Sequence, residues 1–514
     1  MSQPPIQLAD PKDHNTSSDQ IILVAARGGG IAFGGNLFVY IMRFAFGIVI
    51  ARLLGAELLG LYSLGMTFPE IAGTLALLGL SAGVARFIPI AINQRDDERL
   101  RGIIQVGIMI PCVMSLVLAL GIFFGADLIS VRLYNQPALA PVLRLACWAI
   151  PLFALMSVLV AITQGFKRME FKVYSEDIGL NLVKLLLTVA LVGAGFGVLG
   201  AVGAYIVSLV VAVVMLFFFV NHLFPLYRRR QTGKRNIREM FHFTLPIYLS
   251  QFVNQFSGNI GTLVLGFFGT VSGVGIFTAA LRVSDVGTLF HSSLMRIAIP
   301  MISDLHSRGK IDQLQRMYQT MTKWGMVFNL PVFLTTTIFA QPLLSIFGKD
   351  FVAGSSGLII LAFGALFNAS TGVCGTIVTM TGHSKLSLAN SIISLVVGVG
   401  LDLLLIPKWG LVGAAVASAL CVVVLNILRL IEVYLLFRIQ PYNRSFLKPL
   451  CAALVATVIV VIANIWVDNL PSILQLIVGA LLLWGAYAGF IFLLRLDDED
   501  RMVLKRFWMR LTSR

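Results

Sequence analysis

Runs of about twenty mostly apolar residues, broken by short polar turns, fill this sequence almost end to end. Each run is the length an α-helix needs to cross the roughly 30 Å apolar core of a bilayer. Fourteen are read, near residues 24–53, 60–92, 103–127, 141–166, 174–196, 199–222, 242–268, 274–301, 325–347, 355–381, 386–406, 411–436, 446–467 and 472–494. The breaks are turn chemistry and charge, such as Gly55-Ala56-Glu57, Asn93-Gln94-Arg95-Asp96 and Pro407-Lys408-Trp409-Gly410. Only 12% of the 514 residues are charged, about half the share in soluble proteins. Charge this sparse cannot cover several water-exposed domains. The predicted class is an all-α polytopic membrane protein of about fourteen transmembrane helices. The five Cys, at 112, 147, 374, 421 and 451, are scattered through apolar stretches, which excludes a disulfide framework and reads as buried inert thiols.

Loop charge supports the count independently. With the N-terminus in the cytoplasm, 28 of the 39 Lys and Arg fall in inner segments, five in outer ones (Arg52, Arg132, Arg144, Lys349 and Lys408) and six within helices. That is the positive-inside rule, and it places both termini in the cytoplasm of a cell's inner membrane. The formal charge of +15 is thus spread as topology markers rather than gathered in one stripe, so nucleic acid is excluded as a partner. The run Arg228–Arg238 reads as an inner-face loop beside anionic lipid. The polar first twenty residues are expected to hold no cleavable signal peptide.

The chain also repeats itself. Leu54-Gly55 followed by Gly60-Leu61-Tyr62 recurs as Phe268-Gly269 followed by Gly275-Ile276-Phe277. Arg86-Phe87-Ile88-Pro89 recurs as Arg296-Ile297-Ala298-Ile299-Pro300, and Gly197-Val198-Leu199-Gly200-Ala201 as Gly410-Leu411-Val412-Gly413-Ala414. Pairs at one offset and in order predict two parallel six-helix lobes, since an even number of helices keeps orientation. The expected organisation is a cytoplasmic tail (1–23), an N-lobe (24–225), a cytoplasmic linker (226–240), a C-lobe (241–437), two appended helices (438–494) and a cytoplasmic tail (495–514).

The segment Ala51-Arg52-Leu53-Leu54-Gly55-Ala56-Glu57-Leu58-Leu59-Gly60-Leu61-Tyr62 resembles the polysaccharide-transport flippases of the multidrug, oligosaccharidyl-lipid and polysaccharide exporter superfamily. Gln164-Gly165-Phe166-Lys167-Arg168-Met169, Gly410-Leu411-Val412-Gly413-Ala414-Ala415 and Leu496-Asp497-Asp498-Glu499-Asp500-Arg501 agree with it. The resemblance spans essentially the whole chain. It implies a flippase that moves an isoprenoid-diphosphate-linked oligosaccharide across the cytoplasmic membrane by alternating access, for envelope polysaccharide synthesis. The partners it implies are that lipid-linked substrate, the bilayer, and a polysaccharide polymerase and glycosyltransferases; a monomer is expected.

Polar residues inside the spans give a separate line of argument. A charge at mid-bilayer costs at least about 3 kcal/mol, so it should face a cavity or a partner. Asn36, Tyr40, Arg43 and Gly47 form one helical stripe; Ser63, Thr67, Glu70 and Thr74 form another; Asp177, Asn181, Lys184 and Thr188 a third. Tyr248, Gln251, Gln255 and Thr262, then Thr278, Arg282, Asp285, Ser292 and Arg296, continue the pattern, and Asn368, Thr371, Gly375 and Thr379 add a neutral stripe. Such stripes predict a hydrated path with a net positive interior, which suits a diphosphate because guanidinium groups bind phosphate oxygens in pairs. Arg43 and Arg282 are the expected diphosphate contacts, helped by Lys184, with Asn36, Tyr40, Gln251 and Gln255 as polar lining. Glu70 and Asp285 would orient those cations or form gating pairs, and Arg282 and Asp285, three apart, would partly neutralise each other.

Other polar residues read as structural. Arg86 and Arg296 are expected to snorkel or pack near the inner face, Arg429 and Glu432 to form a local ion pair, and Asp402 to cap a helix or meet water at an outer end. His291 and His383 lack companions at ligand spacing, so no metal or cofactor is expected, while a coupling ion, Na+ or H+, is left open. The outer loops are short and no catalytic constellation is read, so the chain is not expected to be an enzyme. The competing reading is a cation-coupled multidrug antiporter on the same fold, which calls for an acidic cavity.

Overall fold

A backbone in hydrocarbon has to satisfy its own hydrogen bonds, and this chain does so with helices; no strand occurs among the described residues. The computed structural model describes residues 16–224, 237–467 and 471–494, with side chains from 38 to 224 and from 240 onward, apart from 243, 246, 247 and 464–467. Of the expected linker (226–240), residues 226–236 lie outside the described residues and 237–240 are helical, the start of the helix Ile237–Phe268; the tail at 495–514 and the first fifteen residues also lie outside.

The first half comprises α1 (Thr16–Leu77), α2 (Leu80–Asn93), α3 (Asp97–Asp127), α4 (Leu139–Ala146), α5 (Ala149–Gly165), α6 (Met169–Lys172), α7 (Asn181–Leu191) and α8 (Gly197–Leu223). Wider i→i+5 turns over Val173–Leu180 join α6 to α7. The second half comprises α9 (Ile237–Phe268), α10 (Val271–Ser284), α11 (Val286–Ser307), α12 (Ile311–Ile338), α13 (Ala340–Ser345), α14 (Ser355–Ser370), α15 (Cys374–Met380) and α16 (Ser384–Phe437). Two more helices, α17 (Leu447–Val467) and α18 (Ser472–Leu493), end the described chain. Among the described residues, eight helical stretches are long and apolar enough to cross a membrane, or up to nine when α10 and α11, bent by 45°, count together as one.

At 1.5 Å per residue, a straight helix as long as the 54-residue α16 would run about 80 Å, far beyond a bilayer. Single glycines resolve this. Gly55 (φ 75°, ψ 178°) breaks α1 and Gly410 (φ 54°, ψ −126°) breaks α16, both in backbone regions that side chains other than glycine avoid. The expected polar break at 407–410 is therefore a one-residue event, and Pro407, Lys408 and Trp409 stay helical. Elsewhere the expected uninterrupted spans are broken: at Leu78 and Gly79 between α1 and α2, and at Gly372 (φ 65°) between α14 and α15. Asp96 caps α3 by accepting a 2.8 Å hydrogen bond from the Arg99 amide.

The largest apolar core joins the two halves rather than filling either. It contains Ile50, Leu54 and Leu59 of α1, Leu143 of α4, and Phe277 and Val283 of α10. Its tightest crossing is between α1 and α10. A methyl group on Gly60 would collide with the carbonyl oxygen of Val271, and one on Gly275 with that of Ala56. Each glycine thus meets the carbonyl four residues before the other, and the two glycines are repeat counterparts in sequence. Small residues permit this backbone approach, which brings Cα–H groups onto carbonyl oxygens. A second core packs α2, α3, α5 and α8 in the first half, and a third packs α11, α12, α15 and α16 in the second.

Candidate functional site

The α1–α10 crossing carries charge from both halves to one place. Arg43 and Glu70 come from α1, Lys184 from α7, Arg282 from α10, and Asp285 stands at the bend between α10 and α11. Glu70 lies within electrostatic reach of Arg282, Lys184 and Arg43, and Asp285 within reach of Arg282 and Arg43. Arg43 also acts on Glu176 and Asp177, in the wide-turn segment before α7. Arg43, Glu70 and Asp285 are exposed although they sit along apolar helices, whereas Lys184 and Arg282 are half-buried. Three cations face two carboxylates in this group.

Proximity has not become pairing. Among the described residues, none of Arg43, Glu70, Lys184, Arg282 and Asp285 forms an ion pair within 4 Å. The buried Nη1 of Arg282 has no hydrogen-bond partner. Lys184 Nζ reaches Asn181 Oδ1 only at 3.5 Å. The cations rest on aromatic faces instead: Lys184 Nζ lies 4.4 Å and Arg282 Cζ 5.8 Å from the centre of the Phe46 ring. The Tyr205 ring is 6.0 Å from Lys184 Nζ, and Tyr62 packs 6.3 Å from Phe46. A guanidinium and an ammonium held on rings keep their hydrogen-bond donors available, because the ring attracts the charge and takes no proton.

The other expected lining residues are not gathered here by any hydrogen bond. Gln251 is exposed and Gln255 half-buried on α9, Tyr40 is half-buried on α1, and the side chain of Asn36 lies outside the described residues. Arg86 and Arg296 are both exposed. Arg282 and Asp285 interact across space but form no ion pair.

Two structural expectations are corrected. Arg429 and Glu432 do not pair: Glu432 Oε2 accepts a 2.7 Å hydrogen bond from Asn390 Nδ2 across the two arms of α16, while the Arg429 guanidinium lies against Gly375 of α15. Asp402 neither caps nor meets water. It is 3% exposed, faces Gly261 of α9, and its Oδ1 has no partner among the described residues. Lys323, one of the 28 cations assigned to inner segments, is buried within α12.

Sequence reading missed the aromatic support. Phe46 looked like one more apolar residue, and only its position three after Arg43 and one before Gly47 hinted otherwise. It named Asn368 and Thr371 in a neutral stripe but missed their partner, Asn426 of α16, which donates to Asn368 Oδ1 at 3.0 Å and accepts from Thr371 Oγ1 at 3.1 Å, a polar seam in the second half. Among the described residues no three His, Cys, Asp or Glu are gathered to hold a metal ion.

Comparison with known proteins agrees with this architecture. The model of a family described as polysaccharide biosynthesis protein matches residues 49–353. The chain is 24% identical over 419 residues to a probable low-salt glycan biosynthesis flippase of Haloferax volcanii, covering 80% of this chain and 82% of that protein. It is 22% identical over 453 residues to stage V sporulation protein B of Bacillus subtilis, covering 82% and 86%. Among solved structures, the lipid II flippase MurJ in an inward closed conformation superposes with a TM-score of 0.73 at 15% identity, over 96% of this chain and all of that one. An inward-facing multidrug resistance MATE transporter gives 0.63 at 19% identity, over 78% and 94%. The fold is that of these transporters and flippases, in a multi-pass membrane protein.

Proposed function

We propose, for a chain that belongs to the polysaccharide biosynthesis protein family, a flippase that carries an isoprenoid-diphosphate-linked oligosaccharide across the cytoplasmic membrane for envelope polysaccharide synthesis. The observation that carries this reading is the group Arg43, Lys184 and Arg282: three cations drawn from both halves, in one place, with no direct ion pair. A diphosphate crossing apolar lipid needs its charge met throughout the passage, and unpaired guanidinium groups on a water-accessible face meet it with several donors each. Glu70 and Asp285 keep the cations from repelling one another before the substrate arrives and exchange partners as it leaves.

In this reading the glycine breaks at 55 and 410 divide α1 and α16 into two crossings each, the break at Gly195–Gly197 separates α7 from α8, and α9 and α12 add one crossing each, giving fourteen in all, with both termini in the cytoplasm. The halves 24–225 and 241–437 form two lobes that rock about the α1–α10 crossing, exposing the cations to one leaflet and then the other. The likeness to multidrug transporters supports a second reading, a cation-coupled drug antiporter. The excess of Arg and Lys at the centre favours an anionic cargo over a cationic one.

The test is translocation of a fluorescent polyprenyl-diphosphate sugar by the purified protein in proteoliposomes. Wild type should move it, and Arg43→Ala and Arg282→Ala should each slow it by at least about tenfold, the scale of one lost charge-assisted contact. Wild-type rates in Arg43→Ala would remove that residue from the site. Absence of transport together with proton- or sodium-driven export of a cationic dye would favour the antiporter.

A further inference from the structure

The pair Phe46-Gly47 has a role that charge alone does not explain. Lys184 and Arg282 carry like charges, belong to different halves of the chain, and lie close enough to act on one another. Neither is pinned by a carboxylate within 4 Å. Left to themselves, two long side chains of like charge would separate. Both instead address one ring: Phe46 is 4% exposed, packed against Tyr62, and carries Lys184 Nζ at 4.4 Å and Arg282 Cζ at 5.8 Å. Its electron-rich face attracts each cation where water is scarce and the attraction is strongest.

Gly47 completes the arrangement. A methyl group there would stand 2.9 Å from Arg282 Nη1 and 3.0 Å from its Cδ, so the Arg282 side chain would have to shift from its place. The absence of a side chain is what lets the Arg282 side chain lie along α1 beside the ring. We infer that Phe46 and Gly47 are positioning residues, a seat that holds Lys184 and Arg282 side by side so that the site prefers two linked phosphates to a single one. This rests on the flippase reading above and adds to it a structural source of diphosphate selectivity.

The experiment compares binding of farnesyl diphosphate and farnesyl monophosphate to the full chain in nanodiscs, by calorimetry, with thermal unfolding of each variant in parallel. Phe46→Leu, which keeps apolar bulk but removes the ring, should lose about tenfold in diphosphate affinity and change monophosphate affinity by less than about twofold. Phe46→Tyr should retain the wild-type preference. Gly47→Ala leaves the ring in place and should reproduce the loss by displacing Arg282; it decides the matter if Phe46→Leu fails to fold. Wild-type selectivity in folded Phe46→Leu, or an equal loss in folded Phe46→Tyr, would overturn the seat while leaving the site intact. Failure of the wild type to bind the diphosphate would overturn the site reading and the seat together.

Discussion

A buried amide on an apolar helix needs every one of its polar atoms met, and Asn426 is 2% exposed with both ends engaged, to Asn368 and Thr371 of the α14 end and to the Val422 carbonyl one turn back in α16. Asn426→Ala would leave Asn368 Oδ1 without its donor, while the Thr371 hydroxyl keeps its hydrogen bond to the Asn368 carbonyl. The expected cost is about 1–3 kcal/mol, visible as a lower unfolding midpoint in detergent, with substrate affinity unchanged because the seam is separate from the cation group. The intramembrane charges themselves were legible in the sequence: an Arg among twenty apolar residues is conspicuous because it is costly. What each one touches was not. Arg429 and Glu432 have the spacing of a helical pair, yet Glu432 takes Asn390, 42 residues earlier, because the two arms of α16 meet side by side and the amide offers a shorter reach. Asp402, near the Pro407 turn, read as a residue at a wet end, but a break confined to Gly410 leaves it inside the protein.

Among the elements, α1 and α10 set the position of everything else at the site. Both Gly60→Ala and Gly275→Ala would push a methyl into a backbone carbonyl that has no rotamer to escape into. The helices must then part, costing on the order of 1–3 kcal/mol or more in packing and moving Arg282 away from Phe46. Each variant should therefore lower the unfolding midpoint and the transport rate together, whereas Gly121→Ala, with open space around it, should change neither. A normal rate in Gly60→Ala would mean that the crossing is slack. Apolar run lengths announced these helices, and the paired motifs around Gly60 and Gly275 read as counterparts in the sequence. That the counterparts would meet could not be read, since contact between residues some two hundred positions apart depends on how the lobes dock rather than on either helix.

For the whole molecule, the charge sorting predicts which surfaces share a side of the membrane. In a chain stripped of its five cysteines, Asn135→Cys should react with a membrane-impermeant maleimide added outside intact cells, and Lys385→Cys only after permeabilisation. Labelling of both from one side would remove the fourteen-crossing arrangement. The sequence carried the all-helical, multi-pass class well, because the bilayer imposes length and polarity on every span separately. It carried the interior less well, because that is made by helices from both halves converging.

The glycine crossing has a consequence of another kind. A residue that touches the position four before its own repeat counterpart, and is touched in return, makes the contact that two identical units would make across a two-fold axis. A six-helix unit with this glycine could dock onto a second copy of itself and close one end of a pathway with no linker at all. Fusion of the two units would then free the remaining faces to diverge, one gaining Lys184 and the other Arg282, while the shared axis stayed bound to glycine on both sides.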